Sequence, residues 1–344
     1  MSSMEKPIAV TMGEPAGIGG ELTLKAWLGR RERSLSAFFA IDDPERLALL
    51  AQRLGWTVPI AKIDRPEAAR EAFATALPVF PLALAGSATP GHPDPRNAES
   101  VLASVRSAVD FVTAGRAGAL VTNPVHKKTL YEAGFRHPGH TEYLAELAGV
   151  ERSVMMLACP SLRVVPVTAH ISLIEAIARL SREEIVAVGR ITAKALRSDF
   201  AIEAPRLMVS GLNPHAGEAG TIGREEVDII APAVADLKRL GIVASGPAPA
   251  DTLFHERARQ GYDAAICMYH DQALIPIKTI DFYGGVNVTL GLPFVRTSPD
   301  HGTAFEIAGL GVADVTSLAA AIVMAADIAA RRAAGMAPGK KAVG

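Results

Sequence analysis

Residues 7–28, PIAVTMGEPAGIGGELTLKAWL, contain three local patterns in succession. Residues 7–11 form a short apolar run, which predicts a buried strand. Residues 12–20 are rich in glycine and predict a tight loop, and the pattern from Gly20 to Leu28 predicts a helix. The loop lacks the GxGxxG spacing of dinucleotide-binding folds, so on its own it predicts only a turn with close approach of the backbone to a ligand.

The alternation of strand and helix continues along the whole chain. Further strands are predicted over residues 35–41, 117–122, 154–158, 162–167, 207–210, 264–268 and 286–290. Further helices are predicted over residues 43–54, 98–114, 173–178, 182–200, 224–240 and 315–334, and a polar tail follows Gly335. This order of elements is typical of an α/β protein with a mixed, largely parallel central sheet.

The composition is that of a compact enzyme. The 344 residues are 49% apolar and 21% charged, which suffices for one large or two ordinary domains. The net charge of −1 makes a nucleic-acid partner unexpected. No segment has the length of a membrane span or the pattern of a signal peptide. We therefore expect a cytoplasmic protein, with no membrane partner, in which Cys159 and Cys267 are buried reduced thiols.

Three of the nine histidines lie just past predicted strands or in turns, namely His170, His215 and His270. The strand ends at one edge of an α/β sheet are where ligands bind in such folds. Three neutral imidazoles with open positions beside them would suit Zn²⁺ or a similar divalent metal. Because no local signature such as HExxH accompanies them, spacing alone fits unrelated, hydrogen-bonded loop histidines better than a metal site.

A second polar set, Lys278, Asn287 and Arg296, follows His270 in the sequence. An ammonium, an amide and a planar guanidinium could together hold a phosphate, or they could form a solvated surface face. Residues 139–141 (GHT) open a helix with Thr141 as its cap. The free amides there attract anions, although capping alone explains the same pattern.

Seven motifs occur in order along the chain. They are GEPAGIG (13–19), VTNPVHK (121–127), GHTEYLAEL (139–147), GLNPHAGE (211–218), GPAPADTLF (246–254), MYHDQ (268–272) and GVNVTLGLPFVRTSPDHGTAFEIAG (285–309). In these motifs the chain resembles the 4-hydroxythreonine-4-phosphate dehydrogenase family of pyridoxal phosphate biosynthesis, from Ile8 to about Ala326. It departs from the family at Gly20 and Ser172, where proline is usual.

The resemblance implies a two-lobed α/β/α fold similar to that of isocitrate and isopropylmalate dehydrogenases. One larger lobe would comprise residues 1–135 plus 300–344, and residues 136–299 would form a second lobe carrying the metal and the dimer contacts. The resemblance also implies a homodimer whose active site is shared across the interface, with the metal completed by the partner's His270.

The resemblance implies a role for each matching position. His170, His215 and His270 would hold one divalent metal, which could be Zn²⁺, Mg²⁺ or Co²⁺. His140, Thr141, Lys278, Asn287 and Arg296 would bind the phosphorylated substrate. NAD or NADP would bind at the glycine loop and at the DHGTAFEIAG motif, with the positions Gly13, Gly17, Gly19, His301, Gly302 and Thr303.

The implied reaction is oxidation of 4-phosphohydroxy-L-threonine at C3, followed by decarboxylation to 3-amino-2-oxopropyl phosphate. Asp271, Asp251 and Lys127 are unranked candidates for the general base. Asp271 could instead orient a ligand imidazole, although neighbouring side chains on an extended segment diverge. The alternative functions are a sister dehydrogenase acting on phosphothreonate, phosphoerythronate or an aromatic cis-dihydrodiol, a non-catalytic metal- or metabolite-binding protein, and a metal-dependent hydrolase or phosphatase.

Overall fold

The structure is a computed structural model that describes residues 6–137 and 139–335, without the side chains of His140 and Thr141. The tail predicted after Gly335 lies outside the described residues. The chain divides into two compact units. Unit 1 comprises Met1–Ser153 and Leu292–Ala330, and unit 2 comprises Val154–Gly291 and Arg331–Gly344.

The strands of the described residues are short, as is usual for α/β proteins. They are β1 Ile8–Thr11, β2 Phe38–Asp42, β3 Ile60–Lys62, β4 Leu77–Pro81, β5 Ala119–Val121, β6 Val154–Cys159, β7 Leu162–Pro166, β8 Arg206–Ser210, β9 Val243–Ala248, β10 Ala264–Cys267, β11 Val286–Leu290 and β12 Arg296–Pro299.

Helices follow most of these strands. They are α1 Gly19–Leu28, α2 Pro44–Arg53, α3 Ala69–Phe73, α4 Ala98–Thr113, α5 Lys127–Glu132, α6 His140–Leu147, α7 Leu173–Arg179, α8 Arg182–Ser198, α9 Ala231–Arg239, α10 Glu256–Arg259, α11 His270–Ile280 and α12 Thr316–Gly335.

Unit 1 contains six parallel strands in the order β3-β4-β2-β1-β5-β12. Strand β1 lies inside this order because all four of its residues are buried, as its unbroken apolar run predicts. Helix α4 buries one apolar face in the same core, where the rings of Phe39 and Phe111 meet edge to face at 5.9 Å.

Unit 2 contains strands in the order β11-β6-β7-β10-β8-β9. The pairs β11–β6 and β6–β7 are antiparallel, and β7–β10, β10–β8 and β8–β9 are parallel. Leu274 and Ile277 of α11 pack with Val164 and Leu157 in the core of this unit. The two sets together confirm the predicted α/β class with a mixed, largely parallel sheet.

One predicted helix differs in kind from the observed element. Residues 224–240 were expected to form a single α-helix, but Glu226–Ile230 is a π-helical turn and the α-helix begins at Ala231. Proline at the start of α9 has no N–H to donate to the preceding turn, which explains the wider helical turn before it.

The end of α12 belongs with unit 2 because two arginines bind the end of α8. Arg332 donates two hydrogen bonds to the buried carboxylate of Asp199, at 2.7 and 2.8 Å, and Arg331 donates to the Asp199 carbonyl at 3.0 Å. Cys159 and Cys267 are free and buried, as predicted. Across the described residues, no helix combines the length and the apolarity that a bilayer crossing requires.

Candidate active site

The three histidines of the predicted metal set follow three neighbouring strands of unit 2. His170 comes after β7, His270 begins α11 just after β10, and His215 comes after β8. These strands are parallel and adjacent in the order β7-β10-β8. Their carboxyl ends therefore lie at one edge, the edge at which open α/β sheets bind ligands.

His170 and His270 face each other across a cavity. Their ring centroids lie 5.8 Å apart. The cavity has a volume of about 240 Å³ and is lined by Thr168, His170, Ile171, Leu173, Ala176, Tyr269, His270 and Asp271. Two imidazoles at this separation can approach one ion or one small polar ligand between them.

The backbone is left-handed at two of the three histidines. His170 has φ of 57° and His215 has φ of 53°, and residues 215–219 all have positive φ. Such values are uncommon for residues other than glycine, and they concentrate at functional sites because surrounding structure must hold them. The geometry therefore singles out His170 and His215 from ordinary loop histidines.

Buried hydrogen bonds connect the three histidine-bearing loops. Thr168 Oγ1 donates to the Met268 carbonyl at 2.8 Å, which joins the loop after β7 to the loop after β10. Gln272 accepts from the Met268 N–H at 2.7 Å and donates to the Gly211 carbonyl at 2.8 Å, which joins the loops after β10 and β8. Gln272 is buried, so both bonds are shielded from water.

The Asp271 carboxylate contacts the ring of His270. The expectation that these neighbouring side chains diverge was wrong, because the two residues begin helix α11 and do not continue an extended segment. Asp271 Oδ1 lies 2.7 Å from His270 Nδ1. An ionised carboxylate only accepts hydrogen bonds, so Nδ1 is the donor in a hydrogen bond to an ionised Asp271.

Within one chain, the imidazoles of His170 and His270 are the pair that fits a divalent metal. Within residues 6–137 and 139–335, no group of three metal-binding side chains comes together. His170 and His270 provide two nitrogen donors of the type that Zn²⁺ and similar ions prefer, and His215 lies at the same sheet edge outside that pair.

Arg296 is buried. Its side chain lies on β12, is only 3% exposed, and donates to Thr122 Oγ1 from Nε at 3.1 Å and from a terminal nitrogen at 2.6 Å. Burial lowers the pKa of the guanidinium from 12.5 to about 10. Arg296 is therefore not part of a solvated surface face, which was one of the two interpretations of Lys278, Asn287 and Arg296.

The other predicted substrate positions are divided between the two units. Asn287 lies on β11 of unit 2, and its buried Oδ1 has no hydrogen-bond partner within the described part of the chain. Lys278 lies on α11 of unit 2, with its Nζ 5.3 Å from the ring centroid of Phe282. His140 and Thr141 begin α6 in unit 1, and their side chains lie outside the described atoms.

The three candidate bases also occupy different places. Lys127 begins α5 in unit 1, and its Nζ would lie 3.6 Å from a Cβ built on Gly139, beside the start of α6. Asp251 is exposed in the helical turn after β9 of unit 2. Asp271 alone lines the cavity between His170 and His270.

The predicted cofactor positions come together in unit 1. The glycine loop follows β1, residues 122–126 follow β5, and residues 300–304 follow β12, and these three strands are parallel neighbours. The Ile18 N–H donates to the Thr303 carbonyl at 3.0 Å. The loops that carry Gly13, Gly17, Gly19, His301, Gly302 and Thr303 therefore share one sheet edge.

Close packing explains two of these glycines. Gly13 has φ of +68°, and a Cβ there would lie 2.6 Å from Asn123 Cβ. A Cβ on Gly17 would lie 2.9 Å from the Thr303 carbonyl oxygen. The glycine loop is thus pressed against the loops after β5 and β12, a contact that larger residues would block.

A second cavity lies beside the glycine loop. It has a volume of about 460 Å³ and is lined by Pro15, Gly17, Asp43, Glu45, Arg46, Leu49, Leu50, Arg53, Leu84, Gly86, Ala88, Thr89 and Pro90. Its buried Arg46 is held by Asp42 through hydrogen bonds of 3.0 and 2.8 Å and donates to the Pro15 carbonyl at 2.9 Å. This cavity has apolar walls with a few fixed polar groups, as small-molecule sites commonly do.

Two side chains of helix α1 form hydrogen bonds with the backbone of residues 309–313, which include the last residue of the DHGTAFEIAG motif (300–309). The fully buried carboxylate of Glu21 accepts from the N–H groups of Gly309, at 3.0 Å, and Ala313, at 3.2 Å. Lys25, one turn later, donates to the carbonyls of Gly311 and Ala313 at 3.1 and 2.6 Å. Glu21 and Gln272 were not predicted from the sequence.

Comparisons with known proteins find relatives that match nearly the whole chain. The 4-hydroxythreonine-4-phosphate dehydrogenase of Bradyrhizobium diazoefficiens is 56% identical over 339 residues, which cover 95% of this chain and 98% of that protein. A crystal structure of 4-hydroxythreonine-4-phosphate dehydrogenase from Klebsiella pneumoniae superposes with a TM-score of 0.84 at 38% identity, covering 94% of this chain and 99% of that one. Terephthalate 1,2-cis-dihydrodiol dehydrogenase from Burkholderia xenovorans superposes with a TM-score of 0.63 at 26% identity, covering 94% and 98%.

The fold, the loop sites and these relatives define an α/β dehydrogenase, which is an oxidoreductase. A model of the family described as pyridoxal phosphate biosynthetic protein PdxA matches residues 35–325. The chain belongs to that family.

Proposed function

We propose that the enzyme oxidises 4-phosphohydroxy-L-threonine at C3 with NAD, or alternatively NADP, and that the product loses carbon dioxide to give 3-amino-2-oxopropyl phosphate. This reaction belongs to pyridoxal phosphate biosynthesis. The observation that carries the proposal is the cavity between His170 and His270, with His215 at the same sheet edge.

The proposed oxidation needs a base, an orienting grip and an electron acceptor. The C3 hydroxyl loses its proton and C3 loses a hydride to the nicotinamide, which leaves a ketone β to the carboxylate. Loss of carbon dioxide then breaks the bond between the carboxyl carbon and C2. A divalent metal held by His170, His215 and His270 would supply the Lewis acidity that lowers the pKa of the hydroxyl.

Asp271 has the geometry of an orienting residue, since it accepts the Nδ1 proton of His270. It keeps His270 Nε2 available inside the cavity, and its own second oxygen is a candidate acceptor for the substrate proton. Asp251 and Lys127 remain the other candidates for that proton transfer.

Arg296 supports a phosphorylated substrate. A planar guanidinium can bind a phosphate with two parallel hydrogen bonds, and a buried one does so in a medium that screens charge weakly. We propose that Arg296, Lys278, Asn287, His140 and Thr141 hold the phosphate and position C3 for reaction. The cavity beside the glycine loop would receive part of the dinucleotide.

We propose a homodimer in which histidines of two chains complete each metal site. Unit 2 exposes large apolar side chains near the site, with Ile174 82% exposed on α7 and Ile275 and Phe282 63% and 65% exposed on and after α11. Exposed apolar surface of this kind is typical of interfaces between subunits. The free, buried thiols support a reducing, cytoplasmic location.

The sister activities differ in what they require of the site. An aromatic cis-dihydrodiol carries no phosphate, whereas phosphothreonate and phosphoerythronate do. The 56% identity to a 4-hydroxythreonine-4-phosphate dehydrogenase, against 26% to the dihydrodiol enzyme, favours the phosphorylated hydroxy-amino acid.

A substrate panel tests the proposal. Metal-loaded enzyme with NAD is given 4-phosphohydroxy-L-threonine, phosphothreonate, phosphoerythronate and a cis-dihydrodiol in parallel, and NADH absorbance is followed. We expect the highest kcat/KM for 4-phosphohydroxy-L-threonine. A higher kcat/KM for another substrate identifies a sister dehydrogenase, turnover without NAD identifies a hydrolase, and no turnover of any substrate identifies a binding protein.

A further inference from the structure

A buried glutamate lies behind the loop that carries His215. Glu226 is the first residue of the π-helical turn and is 3% exposed. Its Oε1 accepts from the backbone N–H groups of Leu212 and Asn213, both at 2.7 Å, and its Oε2 accepts from Asn213 Nδ2 at 2.9 Å. One carboxylate thus fixes the chain immediately before His215.

The other side of the same loop also packs on this carboxylate. A Cβ built on Gly217 would lie 2.6 Å from Glu226 Oε2, and one on Gly211 would lie 3.1 Å from Oε1. The carboxylate therefore occupies space that only glycine leaves open. Glu226 therefore contacts the loop on both sides of His215, through residues 211–213 and through Gly217.

The loop needs such an anchor because its backbone is unfavourable. His215, Ala216, Glu218 and Ala219 all have positive φ, although none is glycine. Residues with side chains disfavour the left-handed conformation, so a run of them persists only where neighbouring groups hold it. His215 itself is exposed, and burial of its ring does not supply that hold.

We propose that Glu226 is a positioning residue that holds the left-handed loop in the form that presents the His215 imidazole to the metal. The inference rests on the proposed role of His215 as a metal ligand. It adds that metal affinity is set partly by a carboxylate that never touches the metal, through the backbone bonds at Leu212 and Asn213.

The direct test is metal binding by the Glu226→Gln enzyme. Glutamine keeps one acceptor oxygen and turns its amide donors toward either the backbone N–H groups or Asn213 Nδ2, so one set of bonds is lost. Chelator-stripped full-length protein is titrated with Co²⁺ in competition with a chromophoric chelator. We expect the Kd for Co²⁺ to rise about 10-fold or more.

Glu225→Gln is the matched control. It makes the same charge change one residue earlier. Glu225 accepts from the Asn213 side chain at 2.7 Å and from backbone N–H groups of residues 224 and 225, whereas the N–H groups of Leu212 and Asn213 bind Glu226. Both backbone bonds to Glu226 survive in that variant. We therefore expect its Kd for Co²⁺ to stay close to that of the wild-type enzyme.

A second variant reaches the same contact from the loop. Gly217→Ala forces a methyl group toward Glu226 Oε2, whereas Gly220→Ala, also at positive φ, meets nothing closer than 3.7 Å. Gly217→Ala should weaken Co²⁺ binding more than Gly220→Ala does. If Glu226→Gln fails to fold, this pair decides the question.

The absorption spectrum of bound Co²⁺ separates positioning from a general loss of stability. At saturation, Glu226→Gln should show the visible spectrum of His215→Ala, because both lose the same ligand. Wild-type affinity and spectrum in Glu226→Gln, or in Gly217→Ala where that variant decides, would overturn the inference while His215→Ala still binds weakly. Unchanged Co²⁺ binding by His215→Ala would instead overturn the proposed metal site itself.

Discussion

Asp271 can act on His270 or on the substrate, and one substitution separates these roles. Asp271→Asn removes the charge that holds the Nδ1 proton of His270, whose bond to Oδ1 is 2.7 Å long. If Asp271 orients the ring, metal affinity should fall about 10-fold, as is usual for partners of ligand histidines. Metal titration of the stripped enzyme measures this directly.

The contrasting result is a loss of kcat at saturating metal with unchanged metal affinity. That outcome would make Asp271 the general base and would remove Asp251 and Lys127 from consideration. Asp251→Asn and Lys127→Met serve as the parallel variants, because neither residue lines the cavity between His170 and His270.

Arg296 is expected to serve substrate binding at a cost in stability. Its pKa of about 10, against an ordinary 12.5, means that burial disfavours the charged form by roughly 3 kcal/mol at neutral pH. Arg296→Met should therefore leave the melting temperature unchanged or raise it, while turnover of a phosphorylated substrate collapses. Thermal unfolding and kcat/KM are measured on the same preparation.

Arg296→Lys tests the shape of the cation separately from its charge. Lysine lacks the planar fork, so kcat/KM should fall by about 1.5–3 kcal/mol, or about 10- to 150-fold. If Arg296→Ala changes kcat/KM less than about threefold, the arginine takes no part in substrate binding.

Helix α1 and residues 309–313 are expected to be destabilised together when the hydrogen bonds between them are lost. Glu21→Ala leaves the buried N–H groups of Gly309 and Ala313 without their acceptor. Each such group costs about 1–3 kcal/mol, so the melting temperature should fall and the KM for NAD should rise. Glu71→Ala on α3, an exposed glutamate that does not line the cavity beside the glycine loop, is the matched control and should change neither.

The elements that were predicted correctly have long or unbroken apolar patterns. Helix α8 has its amphipathic period and β1 its apolar run. Strand β12, Arg296–Pro299, was missed because its residues are polar, although all four are buried. Their polar groups are satisfied by distant partners such as the Ala321 carbonyl, which accepts from Thr297, and no local pattern reveals such partners. Helix α11 was missed because Pro276 interrupts it.

At the scale of the whole molecule, the sequence pattern could place the histidines after strands but could not show which strands are neighbours. The order β7-β10-β8 brings His170, His270 and His215 to one edge, and that order follows from tertiary packing. The resemblance to the family predicted the site residues, but it did not predict the buried side chains that hold the site loops, such as Glu21, Gln272 and Glu226. Glu21 and Ala313, for example, are 292 residues apart in sequence.

Mixing inactive variants tests how the metal site is divided between subunits. In a closed two-fold dimer, His215→Ala mixed with His270→Ala regenerates one intact site per mixed dimer if the two histidines come from different chains. Random exchange makes about half of the dimers mixed, so recovery should approach about a quarter of wild-type activity. Subunit exchange is confirmed by mass-tagged chains.

The other two pairings identify the histidine that crosses the interface. If the partner's His270 completes the site, His170→Ala with His270→Ala should also recover activity, and His170→Ala with His215→Ala should not. If the 5.8 Å pair His170–His270 acts within one chain, the results of these two mixtures are exchanged. No recovery in any mixture would place all three ligands in one chain.

The proposed oxidation of the substrate depends on a metal held by these histidines. Its most direct measurement is the rate of NADH formation from 4-phosphohydroxy-L-threonine by chelator-stripped wild-type and His215→Ala enzymes, as Zn²⁺, Co²⁺ or Mg²⁺ is added back. We predict no turnover by the stripped wild-type enzyme, full recovery with at least one metal, and little recovery by His215→Ala at the same metal concentration. Near-normal turnover by either stripped protein would contradict this metal dependence.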